Sequence, residues 1–139
     1  DTLALARRIE RLAEAQGKTQ WVLVQVDLAE EDTKNGLPAA ELLSFMEQTS
    51  RLSHVRVEGL MVLPPFFEEL ELVRPFFRKL REARDELLRR SVVDTLPELS
   101  MGMTHDFEVA VEEGATMVRV GTALFGERPP GPPGNLRGQ

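Results

Sequence analysis

The chain has 139 residues and no cysteine, with 42% hydrophobic residues, 29% charged residues and a formal net charge of −6. This is the mixture of one soluble domain or part of one; it excludes disulfides, thiolate metal sites and a cysteine nucleophile, and gathers no basic patch for nucleic acid. No apolar run nears the roughly 20 residues of a membrane span and no signal-peptide pattern opens the chain, so the expected setting is cytoplasmic, without membrane or nucleic acid as a partner.

Leu3, Leu5, Ala6, Ile9, Leu12 and Ala13 recur at helical spacing, with Asp1 or Thr2 as N-cap and Gly17 as the stop. Trp21 to Leu28 is a β-branched, apolar run of the kind that forms a buried strand. A polar loop, Ala29 to Gly36, follows. Pro38 stands where a first helical position is expected, and Ala39, Leu42, Phe45 and Met46 supply the apolar stripe of a second helix. Val55 to Leu63 reads as the second strand, closed by Pro64 and Pro65. A long helix begins near Leu72, so that Pro75 falls in its first turn, and buries Val73, Phe76, Phe77, Leu80, Ala83 and Leu87. Leu99 to Met103 is the third strand, Asp106 to Glu113 a short helix ended by Gly114, and Met117 to Gly121 a fourth strand running into a turn at Thr122 to Gly126. Arg128 to Gln139, rich in proline and glycine, is expected to be a disordered tail.

Strict alternation of helix and strand argues for parallel strands joined by right-handed crossovers, in a doubly wound sheet or a (β/α)8 barrel. Four strands are about half of such a barrel, which takes roughly 250 residues. Together with the abrupt start at Asp1, this predicts the C-terminal half of a TIM-type barrel over residues 1–127, four parallel strands alternating with helices, with the N-terminal half missing.

Ligands of parallel α/β folds gather at the C-terminal ends of the strands, where following helices present N–H groups to anions. Two ends have that equipment: Gly102, Met103 and Thr104 after the third strand, and Arg119, Gly121 and Thr122 after the fourth. A Gly-Thr turn before a helix is also an ordinary cap. Alternation puts Met117, Arg119 and Gly121 on one face and Val118 and Val120 on the other, so valines packed under helices would aim Arg119 inward. An inward arginine needs an acceptor, which a ligand or a glutamate on a neighbouring strand could supply. His105 could touch a phosphate or act as a solvated capping residue, and Asp106 reads first as an N-cap. His54 is expected at the surface, and Phe66, Phe67, Phe76 and Phe77 in packing.

The blocks Gly59-Leu60-Met61, Ser100-Met101-Gly102-Met103-Thr104, Asp106-Phe107-Glu108, Gly114-Ala115-Thr116 and Val118 to Gly126, with Lys34 and Gly36 upstream, stand in the order and at the separations of the signature blocks of the pyridoxal phosphate (PLP) homeostasis proteins. The chain resembles that family from Asp1 to about Arg128. The resemblance implies a barrel related to the N-terminal domain of alanine racemases, carrying PLP as a Schiff base on a lysine. By position, Thr104, Gly121 and Thr122 would hold the phosphate, with Met103 alongside, and Arg119 would face the pyridine nitrogen. Thr104 stands where many relatives have serine. The family's lysine lies at the end of the first barrel strand, outside this chain, and Lys18, Lys34 and Lys79 are poor substitutes. The expected function is non-catalytic: PLP buffering or delivery inside the cell, with PLP-dependent apoenzymes as possible recipients. A PLP-dependent racemase or lyase, and a barrel enzyme for other phosphates, are the alternatives.

Overall fold

In the computed structural model, which describes residues 2–29 and 36–126, the chain opens with helix α1 (Leu3–Ala15). Its cap is Thr2, whose hydroxyl accepts the Leu5 N–H at 3.2 Å. Gly17, at φ +61°, ends it: the Lys18 N–H donates to the Ala13 carbonyl at 3.1 Å and the Gly17 N–H to that of Glu14 at 2.9 Å. This Schellman turn satisfies carbonyls that the helix leaves open. Lys34 and the Pro/Gly-rich tail lie outside the described residues.

Among the described residues five strands follow, all parallel: β1 (Gln20–Asp27), β2 (Leu37–Pro38), β3 (Val55–Met61), β4 (Glu98–Met103) and β5 (Met117–Arg119). Their spatial order is β2-β1-β3-β4-β5. The sequence predicts four of these. The fifth, β2, is two residues long and occupies the position where the sequence suggests a helix start. Pro38 has an extended backbone, φ −53° and ψ 135°, and at a sheet edge its missing N–H costs nothing. A 3-10 turn (Ala39–Glu41) then leads into α2 (Leu42–Thr49). A second 3-10 turn (Leu70–Leu72) precedes α3 (Arg74–Arg89), which therefore starts two residues later than expected but keeps Pro75 in its first turn. Helices α4 (Phe107–Glu112) and α5 (Thr122–Phe125) complete the fold.

Because β1, β3, β4 and β5 follow one another in space as in sequence, right-handed crossovers must put every connecting helix on the same side. The core obeys this rule. Ala6 of α1, Phe45 and Met46 of α2, Phe77, Leu80 and Leu87 of α3, and Val109 and Ala110 of α4 form one cluster with Val24, Val26, Leu60, Val62, Leu99 and Met101. A doubly wound sheet would reverse its order and carry helices on both faces. Here, among the described residues, the second face has no helix, and Trp21 upon it is 61% exposed. One-sided cover is the arrangement of a (β/α) barrel.

Two β-bulges set which side chains reach each face. Opposite β1, the register jumps from Val22↔Val57 to Leu23↔Gly59, making Glu58 an extra residue. The helix-facing series can thus pass from Val55 and Val57 to Leu60 and Val62. Between β4 and β5, Ser100 pairs with Met117 and Met103 with Arg119, so β4 also carries one extra residue. Leu99 and Met101 are fully buried against the helices, whereas Met103 is exposed at the rim. Gly102 lies in this bulge at φ +91°, and a Cβ there would meet the Ala110 Cβ at 2.6 Å. The close approach that this glycine permits is to α4.

Among the described residues, no helix is long and apolar enough to cross a membrane.

Candidate functional site

Parallel strands end on one edge, and this edge gathers the residues singled out from the sequence. At the end of β4, the Asp106 carboxylate accepts the Met103 N–H at 2.7 Å while the Asp106 N–H donates to the Met103 carbonyl at 3.1 Å. Asp106 occupies the N-cap position of α4, but its side chain is turned back to lock the strand end and does not cap the helix. The turn so fixed presents Thr104, whose hydroxyl accepts the Ala123 N–H at 3.4 Å. That contact joins the end of β4 to the start of α5. Thr122 is exposed beside it, and a Cβ on Gly121 would meet nothing within 4 Å. Among the described residues, the N–H groups of Gly121 and Thr122 make no backbone hydrogen bond. Thr104, Thr122 and the amides of Gly121 and Thr122 thus share one corner of the edge, a candidate cup for an anion.

Arg119 approaches the same edge from β5. It shares a face with Met117, which lines a cavity on the bare side of the sheet with Trp21, Leu23, Glu58 and Glu98. The inward direction expected of Arg119 is therefore present, but one part of its premise is not. Val118 is 39% exposed, so no helix among the described residues presses this valine down. Among the described residues Arg119 also has no glutamate partner: Nη2 donates to the Val62 carbonyl at 2.8 Å and Nη1 lies 3.2 Å from the Met61 sulfur. Its Nε is buried and has no hydrogen-bond partner among the described residues. Burial pushes the guanidinium below its ordinary value, and the charge of Asp106 opposes that shift. The group remains a cation in any case, with its Nε–H unsatisfied among the described residues.

An Nε–H buried without a partner among the described residues, on the same strand-end edge as these hydroxyls and amides, makes a candidate two-ended site. One end suits a phosphate, and the other suits a neutral acceptor such as a ring nitrogen. Met103, Thr104, Arg119, Gly121 and Thr122 all lie along this edge. The two described lysines do not: Lys18 precedes β1 at the opposite end of the sheet, and Lys79 is exposed on α3.

The sequence carries no sign of Arg119's acceptors, Val62 and Met61, or of the Asp106 lock. It also missed Glu113, a carboxylate with a 7% exposed side chain that binds Arg74, Arg78 and Arg81 of α3 at 3.2, 3.2 and 3.0 Å. This clamp holds α4 against α3, and α4 in turn packs on Gly102. The available signal was three arginines spaced four and three apart along one helix face.

Residues 1–129 match the family model of the alanine racemase N-terminal domain. The pyridoxal phosphate homeostasis protein of Aquifex aeolicus is 53% identical over 128 residues, covering 92% of this chain and 56% of that protein. The solved structure of PipY from Synechococcus elongatus PCC7942 with PLP bound superposes with a TM-score of 0.82 at 37% identity, covering 91% of this chain and 58% of that one. An alanine racemase of Clostridium difficile 630 matches with a TM-score of 0.69 at 20% identity over 92% of this chain and 35% of its own, a likeness of fold alone. The chain spans about half the length of the curated relatives it matches.

Proposed function

The chain belongs to the alanine racemase N-terminal-domain family and, within it, to the pyridoxal phosphate homeostasis proteins, and on that premise we propose that it is the C-terminal half of a (β/α)8 barrel that binds PLP to buffer or deliver it. The observation that carries this reading is the Arg119 Nε, buried without a partner among the described residues, on the strand-end edge that also carries Thr104 and Thr122. Thr104, Thr122 and the N–H groups of Gly121 and Thr122 hold the phosphate, with Met103 alongside, and Arg119 meets the pyridine nitrogen. When bound, PLP supplies an electron sink whose strength depends on protonation of that nitrogen. The Arg119 cation disfavours the protonated ring and so weakens the sink, which favours a carrier over a transaminase-like enzyme. Holding the guanidinium between Val62 and Met61 costs no carboxylate, so its charge remains directed at the ligand.

The family resemblance puts the covalent anchor in the other half of the barrel; Lys18 and Lys79 stand away from the cup and Lys34 lies outside the described residues, and on this reading the chain alone binds PLP weakly and without a covalent bond. Equilibrium dialysis tests this: retained PLP should be displaced by inorganic phosphate and lost in a Thr104→Val, Thr122→Val double variant. Retention unaffected by both would refute the cup. The enzymatic alternative, a PLP-dependent racemase or lyase, requires the full-length, PLP-loaded protein to exchange the α-proton of an amino acid in deuterated water. We expect no exchange. Recipients for the delivered cofactor would be PLP-dependent apoenzymes.

A further inference from the structure

Arg119 and the cup depend on a segment that neither β4 nor β5 contains. After β3, the chain runs from Val62, whose carbonyl receives the Arg119 Nη2–H, through Leu63, Pro64, Pro65 and Phe66 to Phe67. Its first residue is fixed, since the Val62 N–H donates to the Ser100 carbonyl at 3.2 Å. Its far end meets the ring of Phe76 in α3 through Phe67, with centroids 5.7 Å apart. Between these ends two prolines remove N–H donors, and among the described residues no backbone hydrogen bond crosses from Leu63 to Phe67. One polar side chain reaches across. His105 Nε2 lies 3.2 Å from the Phe67 carbonyl, and the His105 ring packs on Phe66 with centroids 5.0 Å apart at 31°. A carbonyl can only accept, so Nε2 must carry the proton.

His105 is the residue between Thr104, which lines the cup, and Asp106, which locks the end of β4. Its backbone is therefore held while its side chain grips a neighbouring loop. We infer that His105 is a positioning residue that latches the 63–67 segment to the rim of the cup and thereby holds the chain that leaves the Val62 carbonyl beside Arg119. The latch serves the ring end of the site. The phosphate end rests on Thr104, Thr122 and the Asp106 lock, and does not need it. For its ligand arm the inference rests on the PLP reading above; the loop contact itself does not.

The test uses the 139-residue chain with His105→Ala, His105→Gln and, as a control at the other end of the sheet, His54→Ala. Glutamine keeps an N–H donor of similar reach, so it should restore what alanine loses. Chymotrypsin nicking at Phe66 and Phe67, followed by mass spectrometry, should accelerate about fivefold or more in His105→Ala, as expected for loss of one net hydrogen bond. It should return to within about twofold of the parent in His105→Gln and stay unchanged in His54→Ala. Nitrogen NMR of the parent should show a protonated His105 Nε2. Affinity for PLP should fall about fivefold in His105→Ala, while affinity for inorganic phosphate stays within about twofold, a split that general destabilisation would not produce. Unchanged nicking in His105→Ala, or an unprotonated Nε2, overturns the latch. Equal weakening of both ligands overturns its assignment to the ring end. If the parent chain retains no PLP at all, the cofactor reading fails, and nicking and the Nε2 proton still decide the latch.

Discussion

Replacing Gly102 by alanine should damage both the fold and the cup. Gly102 sits at φ +91°, a conformation that costs an L-residue about 1–2 kcal/mol. The added Cβ would stand 2.6 Å from the Ala110 Cβ and 3.0 Å from the Phe107 Cα, against roughly 3.5–4.0 Å for comfortable carbon contact. Relieving it means moving α4 away from β4, an overpacking strain of about 1–3 kcal/mol. The sum, about 2–5 kcal/mol, is a large share of the 5–15 kcal/mol that holds a typical domain together. Urea unfolding of the parent and the variant measures it. Gly121→Ala is the contrast, because nothing lies within 4 Å of its added Cβ and its stability should change by less than about 0.5 kcal/mol. Ala110→Gly should partly rescue Gly102→Ala by removing the struck atom, less about 1 kcal/mol for a glycine inside a helix. A Gly102→Ala variant within 0.5 kcal/mol of the parent would show that the bulge does not need its glycine and that the close packing of α4 on β4 is not what fixes the cup.

Ser91 closes α3 at φ 55° without a glycine, with its successor's N–H donating to the Leu87 carbonyl at 3.1 Å. Ser91→Gly should therefore stabilise the chain by about 0.5–1 kcal/mol, raising the thermal midpoint by a few degrees in calorimetry. Burial works to raise the Glu113 carboxyl, but Arg78 and Arg74, with Arg81, outweigh it and hold it below the ordinary glutamate range. A depressed carboxylate stabilises the fold fully above the unfolded value, near pH 4.3, and loses that contribution as pH falls through the lower folded value. Glu113→Gln should thus lower stability by about 1–2 kcal/mol at pH 7, with partly solvated arginines limiting the loss, and flatten the decline below about pH 4 in denaturant titrations at several pH values.

Much of the fold is legible in the sequence because each long element carries its own local cause. The apolar stripe of α1 ends at a glycine that the backbone needs there, and the β-branched runs of β1 and β3 are too short and too apolar for anything but buried strands. Pro38 misleads because a proline that can open a helix can equally sit on a sheet edge; pairing with Val26 and Asp27 decides between them, and that contact is not local. The bulges at Glu58 and Gly102 are likewise set by partner strands, although a glycine inside a strand pattern is their trace. At the site, alternation along β5 puts Arg119 on the face of Met117, but the buried valines expected to aim it inward are not found, since Val118 is 39% exposed. The acceptors of Arg119 were not readable, since a backbone carbonyl leaves no mark in the sequence and Val62 lies 57 residues away along the chain.

The central claim is that the ends of β4 and β5 form the PLP site, and the orphaned donor of Arg119 is its most direct reporter. In a proton–nitrogen NMR titration of the chain with PLP, the Arg119 Nε–H and the amides of Thr104, Gly121, Thr122 and Ala123 should shift together along one binding curve. Shifts confined to the surroundings of Lys18 and Lys79, with the Arg119 Nε–H unmoved at saturation, would contradict the account.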